Sequence, residues 1–317
     1  MAQAPIHVHL GAHKTATTYM QSRLRANRKI LAEKGIAFAD AWAKDERAKK
    51  LRSSVAKTLW RKNVTDVARR GLISDLRGLV SAAESRCTSG ASGPTIFSYE
   101  NILGSYNLAV TEGLYERCGE VVDLMSEAFE GREVRYFFCF RSFDRFVESC
   151  YLQCLYTQKE SRSFDAFFGD INLSSLSWAR MIKRLADRAG SDQLFLWAYE
   201  DWSSCELDVW KALMEVSNPV QLLEAPAVAS NPSLSAEGVE CMRVINQFAH
   251  AKTAKVLRTQ VKREMAPQKG YARASFVDDE ARRDLKRRYA EDCDVIHNKW
   301  SRRLFSGGLK LEKTGGT

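Results

Sequence analysis

The sequence predicts an α/β protein with a central parallel sheet flanked by helices. Three observations predict it. Short β-rich apolar runs alternate with helical patterns along the chain. The runs are continuous rather than alternating, as in VRYFFCF at 134–140, which marks strands buried on both faces. The first run passes through Gly11 and a loop of small hydroxyl residues straight into a helical pattern. At 317 residues and 45% hydrophobic content the chain can bury one large core, so residues 1–310 read as a single domain, with 311–317 as a flexible tail.

The elements follow in order. Residues 5–10 form the first strand, and a helix runs from Thr17 to about Lys34. Mixed helices continue through 86, within a helical segment at 40–93 assigned to the acceptor side, and TSGASGP at 88–94 reads as a polar linker. TIFSYEN at 95–101 is expected as the second strand, with Glu100 at its C-terminal end. A helix at roughly 111–129, a strand at 134–140 and a helix at 142–156 come next. SFDAFF opens another helical region, a long helix covers about 176–189, and 194–199 is the last expected strand before a largely helical remainder. Ligands in parallel sheets sit at the carboxyl ends of the strands, where Gly11–Thr18, Glu100, Arg141 and Tyr199 all fall.

The loop after the first strand reads GAHKTATT, residues 11–18. A strand, a tight turn and a helix start direct backbone N–H groups at an anion, helped by the helix dipole. The ATP-binding form is G-x-x-x-x-G-K-[ST]. Counted from Gly11, its G-K slots hold Ala16 and Thr17, and the loop's one lysine, Lys14, comes early. A cation there can reach an oxygen bridging two anionic groups.

His13-Lys14-Thr15-Ala16-Thr17-Thr18 resembles the P-K-[ST]-G-T-T loop of sulfotransferases that use 3′-phosphoadenosine 5′-phosphosulfate (PAPS), with His13 in place of proline and Ala16 in place of glycine. A second segment resembles the same family's 3′-phosphate motif, a strand, an arginine and a serine eight residues on: Arg141 and Ser149. LFLWAYEDW at 194–202 is similar to the family's later core strand, and 231–246 and 284–300 to helices of its bacterial members. The resemblance implies a P-loop NTPase-like fold and PAPS as sulfuryl donor, with adenosine 3′,5′-bisphosphate as product and no required metal. It places Lys14, Thr15, Ala16, Thr17, Thr18 and Tyr19 around the 5′-phosphosulfate, Arg141 and Ser149 at the 3′-phosphate, and Tyr199 at adenine. Lys269-Gly270 resembles a C-terminal Lys-Gly that touches the 3′-phosphate. Lys14 is implied as the group that stabilises the leaving oxygen. Glu100 is the first candidate for general base and His13 the second.

Composition sets the remaining expectations. No run approaches the roughly 20 apolar residues that span a bilayer, and no charged-then-apolar leader opens the sequence. The eight cysteines form no C-x-x-C pair and no metal-ligand spacing with the five histidines, so a reducing cytoplasm is the expected setting. The net charge of +9 is uneven: residues 250–317 supply +8 and 41–70 supply +7, leaving the remainder at −6. Such blocks attract an anionic nucleotide, an anionic acceptor or a membrane surface, and they leave peripheral membrane contact open. Nucleic acid competes on charge, but zinc-finger spacing, an RNP-like aromatic motif and a convincing helix-turn-helix are missing, so no nucleic-acid partner is expected. The rival enzyme class is an ATP-using P-loop kinase. The acceptor is a small molecule, glycan or lipid, with Trp42 and Trp60 as candidate pocket residues, and neither it nor the oligomeric state is legible.

Overall fold

A computed structural model describes residues 3–60, 64–87, 90–108, 111, 113–219 and 234–305. The expected tail at 311–317, residues 231–233 of the family-like segment and residues 88–89 of the linker lie outside the described residues.

Six parallel strands form one sheet: β1 (Ile6–His9), β2 (Ala37–Asp40), β3 (Thr95–Ser98), β4 (Val134–Phe140), β5 (Leu194–Ala198) and β6 (Leu304–Phe305). Their spatial order is β2-β3-β1-β4-β5-β6. The expected α/β class with a parallel sheet is therefore the observed one. β1 is central and pairs with β3 on one side and β4 on the other, with Ile6 opposite both Thr95 and Val134. The chain order reverses across β1, which makes the β1–β4 crevice a topological switch point.

Alternation within the strands builds two cores. From β4, Tyr136, Phe138 and Phe140 enter one core, while Phe137 and Cys139 enter the other. The larger core receives α3 (Glu46–Thr58), α4 (Asp66–Glu84), α5 (Cys118–Ala128), α6 (Phe143–Thr157) and α8 (Trp178–Ala189). Also packed there are α7 (Phe164–Gly169), α10 (Ala236–Phe248) and α12 (Asp279–Trp300). The smaller core receives α1 (Thr17–Ala26), α2 (Arg28–Glu33) and α9 (Trp202–Met214). Helix α11 (Ala251–Glu264) pairs with α10 at the periphery.

Five features differ from the sequence reading, the first being that 194–199 is not the last strand, because Leu304–Phe305 adds β6 beside β5. The helix expected from Thr17 to Lys34 breaks at Asn27, whose side-chain amide donates to the Arg23 carbonyl that its own backbone N–H also uses. Ala37–Asp40 is a strand, so Thr95–Ser98 is the third rather than the second. The strand in TIFSYEN stops at Ser98, and Glu100 opens a 3₁₀ turn, Glu100–Leu103. The helix expected from 111 begins only at Cys118. In the segment at 40–93, α3 and α4 join β2 to β3. All eight cysteines are free thiols, Cys150 and Cys154 being buried on α6. Among the described residues, no helix is long and apolar enough to cross a membrane.

Candidate active site

The loop between β1 and α1 is held from below. The backbone N–H groups of Leu10 and Ala12 donate to Phe137 and Cys139 of β4, which extends the sheet pairing past the end of β1. Gly11 has φ +49°, and a Cβ there would meet Thr17 Oγ1 at 3.0 Å and His9 Nε2 at 3.3 Å, so the turn needs glycine. Lys14 and Ala16 are also left-handed, with φ of 66° and 60°, although neither is glycine. Such conformations cost about 1–2 kcal/mol each and persist where the surroundings over-determine them.

Those turns leave a run of free donors. Among the described residues nothing accepts from the backbone N–H groups of Lys14, Thr15, Ala16, Thr17 or Thr18. Ala16 is the N-cap of α1 and makes no side-chain cap, so the helix start is uncapped as well. Five unpaired donors at a helix N-terminus form an anion cradle. Two of the threonine hydroxyls are turned toward the loop's own backbone. Thr15 Oγ1 donates to the Ala12 carbonyl at 2.6 Å, and Thr17 Oγ1 faces the same oxygen at 3.5 Å, so both tie the loop to itself. Thr18 is exposed. Tyr19 points toward α9: its hydroxyl donates to Glu206 at 2.7 Å and its ring meets Trp202 edge-on.

Arg141 follows the last residue of β4 and reaches over the loop. Its Nη1 donates to the Lys14 carbonyl at 2.7 Å and lies 3.4 Å from Ser149 Oγ on α6. Its guanidinium stacks on the Tyr199 ring, 4.6 Å from the centroid. Its Nε is buried without a partner. Lys14, Arg141, Ser149 and Tyr199, spread over the sequence, therefore meet at one place. Lys269 and Gly270 are not brought there by any contact among the described residues. Lys269 instead pairs with Glu264 at 2.6 Å.

Lys14 Nζ donates to Gln153 Oε1 at 3.2 Å. Desolvation by the surrounding protein lowers its ammonium pKa, and the charges of Lys262 and Arg141 push the same way while Glu100 opposes them. Glu100 accepts from Gln21 Nε2 at 2.9 Å. Burial raises its carboxyl pKa, against the hydrogen bond from Gln21, the nearby Trp42 side chain and the charge of Lys14. A cation held below its usual range and a carboxylate held above its own now share one electrostatic field.

His13 is fully engaged. Its backbone N–H donates to the Tyr115 hydroxyl at 3.0 Å, the hydroxyl donates to Nδ1 at 2.8 Å, and Nε2–H donates to Asn101 Oδ1 at 2.8 Å. Burial lowers its pKa to about 4, which keeps this ring neutral with one nitrogen donating and one accepting. Both nitrogens are thereby occupied in bracing the loop against the Glu100–Leu103 turn.

Several neighbours were not singled out from sequence. Gln21 and Gln153 touch the candidate base and the candidate cation. Lys262 on α11 acts on Lys14 through charge and packs over the Tyr156 ring at 4.7 Å. Only its place in the basic C-terminal block could have signalled it. The Trp42 side chain lies near enough to Glu100 to favour its charged form, and Trp60 Nε1 donates to the Asn101 carbonyl at 2.9 Å, so both tryptophans stand beside the candidate base with exposed faces. Among the described residues no cluster of three or more His, Cys, Asp or Glu could hold a metal ion.

No protein-family model matches this chain, and no curated protein matches it. Among solved structures, it is similar to the crystal structure of a sulfotransferase from Alicyclobacillus acidocaldarius. The TM-score is 0.41 and the identity 14%, over 82% of this chain and 99% of that one.

Proposed function

We propose that this protein moves the sulfuryl group of PAPS to a hydroxyl or amine of a carbohydrate or lipid acceptor. The observation that carries this reading is the position of Arg141 Nη1, between the Lys14 carbonyl and Ser149 Oγ. It joins a cradle for one phosphate to a fork-shaped donor for a second. A nucleotide with anionic groups at both the 5′ and 3′ positions matches two such subsites. The unpaired N–H run and the orphaned Arg141 Nε are the groups such a ligand would satisfy.

PAPS supplies the sulfuryl group, and the chain supplies position and charge. The N–H groups of residues 14–18 hold the 5′-phosphate, Arg141 and Ser149 the 3′-phosphate, and Tyr199 lies against the base. An acceptor hydroxyl oxygen attacks sulfur as the bond from sulfur to the bridging oxygen breaks. That oxygen leaves on adenosine 3′,5′-bisphosphate with the bonding electrons, and Lys14 stabilises its charge. Glu100 takes the acceptor proton, which its raised pKa favours. His13 positions the loop rather than moving a proton, because its ring nitrogens are occupied. Trp42 and Trp60 flank the acceptor side.

Thermal-shift titration tests the donor. Adenosine 3′,5′-bisphosphate should raise Tm without a divalent ion, and more than ATP with magnesium. The reverse order would favour a kinase. Transfer from labelled PAPS across an acceptor panel, with EDTA present, then tests the reaction.

A further inference from the structure

Helices α10 and α11 form an antiparallel hairpin joined by Ala249 and His250. Its inner face is anchored. Val239 and Met242 are buried, Asn246 Nδ2 donates to the carbonyls of Leu155 and Glu160, and Arg258 Nη1 donates to Asn246 Oδ1 at 2.8 Å. The Asn246–Arg258 bond, together with Gly238 lying near Val261 and Met265, sets a register in which Phe248 and Val256 are level near the tip.

The outer face toward the tip is apolar and exposed. Phe248 is 75% exposed, Val256 69%, Val244 57% and Leu257 41%. Phe248 and Val256 are also the outer two of the three large hydrophobics with the greatest exposure among the described residues, Val67 being the third. This exposure accompanies a one-sided charge. From Cys241 to Arg263 the sequence contains six Lys or Arg and no Asp or Glu. Lys252 and Lys255 are exposed and, among the described residues, have no acidic partner within ion-pair distance.

We infer that the tip of the α10–α11 hairpin docks this protein on an anionic lipid surface. Apolar side chains enter the headgroup boundary while neighbouring lysines meet lipid phosphates, the pattern of an interfacial helix. Charge complementarity selects this occupant. A nucleic-acid strand would use the lysines but leave Phe248, Val256 and Val244 against water. A second copy of the same hairpin would bring like charges together. Because α11 also carries Lys262, docking sets the catalytic crevice beside the lipid headgroups. The inference does not depend on sulfuryl transfer, since binding is read without turnover.

The test is co-sedimentation of the full chain with vesicles at about 0.1 M salt, where surface charges still act over about 10 Å. Phosphatidylcholine vesicles containing about a third phosphatidylglycerol should bind the protein, and pure phosphatidylcholine should not. At about one factor of five per lysine, Lys252→Ala with Lys255→Ala should weaken binding about 30-fold. Phe248→Ser should weaken it as well, and Lys29→Ala on α2 with Lys34→Ala at its C-cap should leave it unchanged. These side chains are exposed, so Tm should hold in every variant. Equal binding to both vesicles, no binding to either, or unchanged binding in the hairpin variants would overturn the inference. So would loss of RNA binding, or of a solution dimer, in those variants without any lipid effect.

Discussion

Arg141 donates to the backbone carbonyl of Lys14 at 2.7 Å, across 127 residues of sequence. The cation at the end of β4 is thus fastened to the turn that follows β1. One guanidinium supports the cradle's shape and also faces the second proposed phosphate subsite. Its variants should therefore affect ligand recognition and loop order together.

Arg141→Ala should weaken adenosine 3′,5′-bisphosphate by about 1.5–3 kcal/mol, the range for a charge-assisted hydrogen bond. Adenosine 5′-monophosphate, which lacks the 3′-phosphate, should lose much less. Calorimetry on the folded variant separates the two. Arg141→Lys should recover little, since an ammonium cannot span the Lys14 carbonyl, Ser149 and the Tyr199 face at once. Equal losses for both nucleotides would remove Arg141 from the 3′ subsite.

Lys14→Met should lower kcat by about 10²–10³-fold and change donor affinity less, because the charge it meets develops in the transition state. Single-turnover kinetics at saturating donor give the comparison. Full activity in the variant would reassign the electrostatic role.

The pH profile follows from two opposed shifts. As the proposed base Glu100 works deprotonated, and its raised pKa should move the acid limb above the ordinary carboxylate range. As the proposed leaving-oxygen stabiliser Lys14 works protonated, and its lowered pKa should move the alkaline limb below the ordinary lysine range. The bell should be narrowed from both sides. Glu100→Gln should lower turnover by about 10²–10⁴-fold, keep nucleotide affinity and erase the acid limb of the residual rate. An intact acid limb in that variant would point to a different base.

Stability should fall on mild acidification. Burial holds the folded pKa of His13 at about 4, below the ordinary histidine value of about 6.5, and does the same to His9 on β1. Between those values the unfolded chain binds protons that the folded chain does not, so stability rises with pH there. The slope is about 1.4 kcal/mol per pH unit for each histidine. Denaturant melts from pH 7 to 4.5 should show this loss, and His13→Gln should remove one histidine's share of the slope.

The sequence and the structure agree best where chemistry and strand ends coincide. The Lys14 loop, Arg141 and the serine eight residues later were legible because strand, turn and helix constrain their spacing locally. β2 was missed because AFAD is only four residues long and directly follows a helical pattern. The bracing of His13 was invisible because Tyr115 and Asn101 lie 102 and 88 residues away. A Lys-Gly pair drew attention to Lys269, yet α11 turns Lys262 toward the crevice and leaves Lys269 on Glu264. Helix direction decides that choice, and local sequence does not encode it.

The central place of β1 has a consequence for assembly. It is the first strand made and lies in the middle of the finished sheet, with β3 and β4 on either side. The carbonyls that pin Leu10 and Ala12 belong to β4, and Arg141 stands just beyond it. During synthesis the anion cradle can exist only after residues through about 141 have emerged and β4 has docked beside β1. Parallel pairings of this separation form slowly. The proposed nucleotide binding therefore waits on that long-range pairing, and its appearance during refolding would time the docking of β4 beside β1.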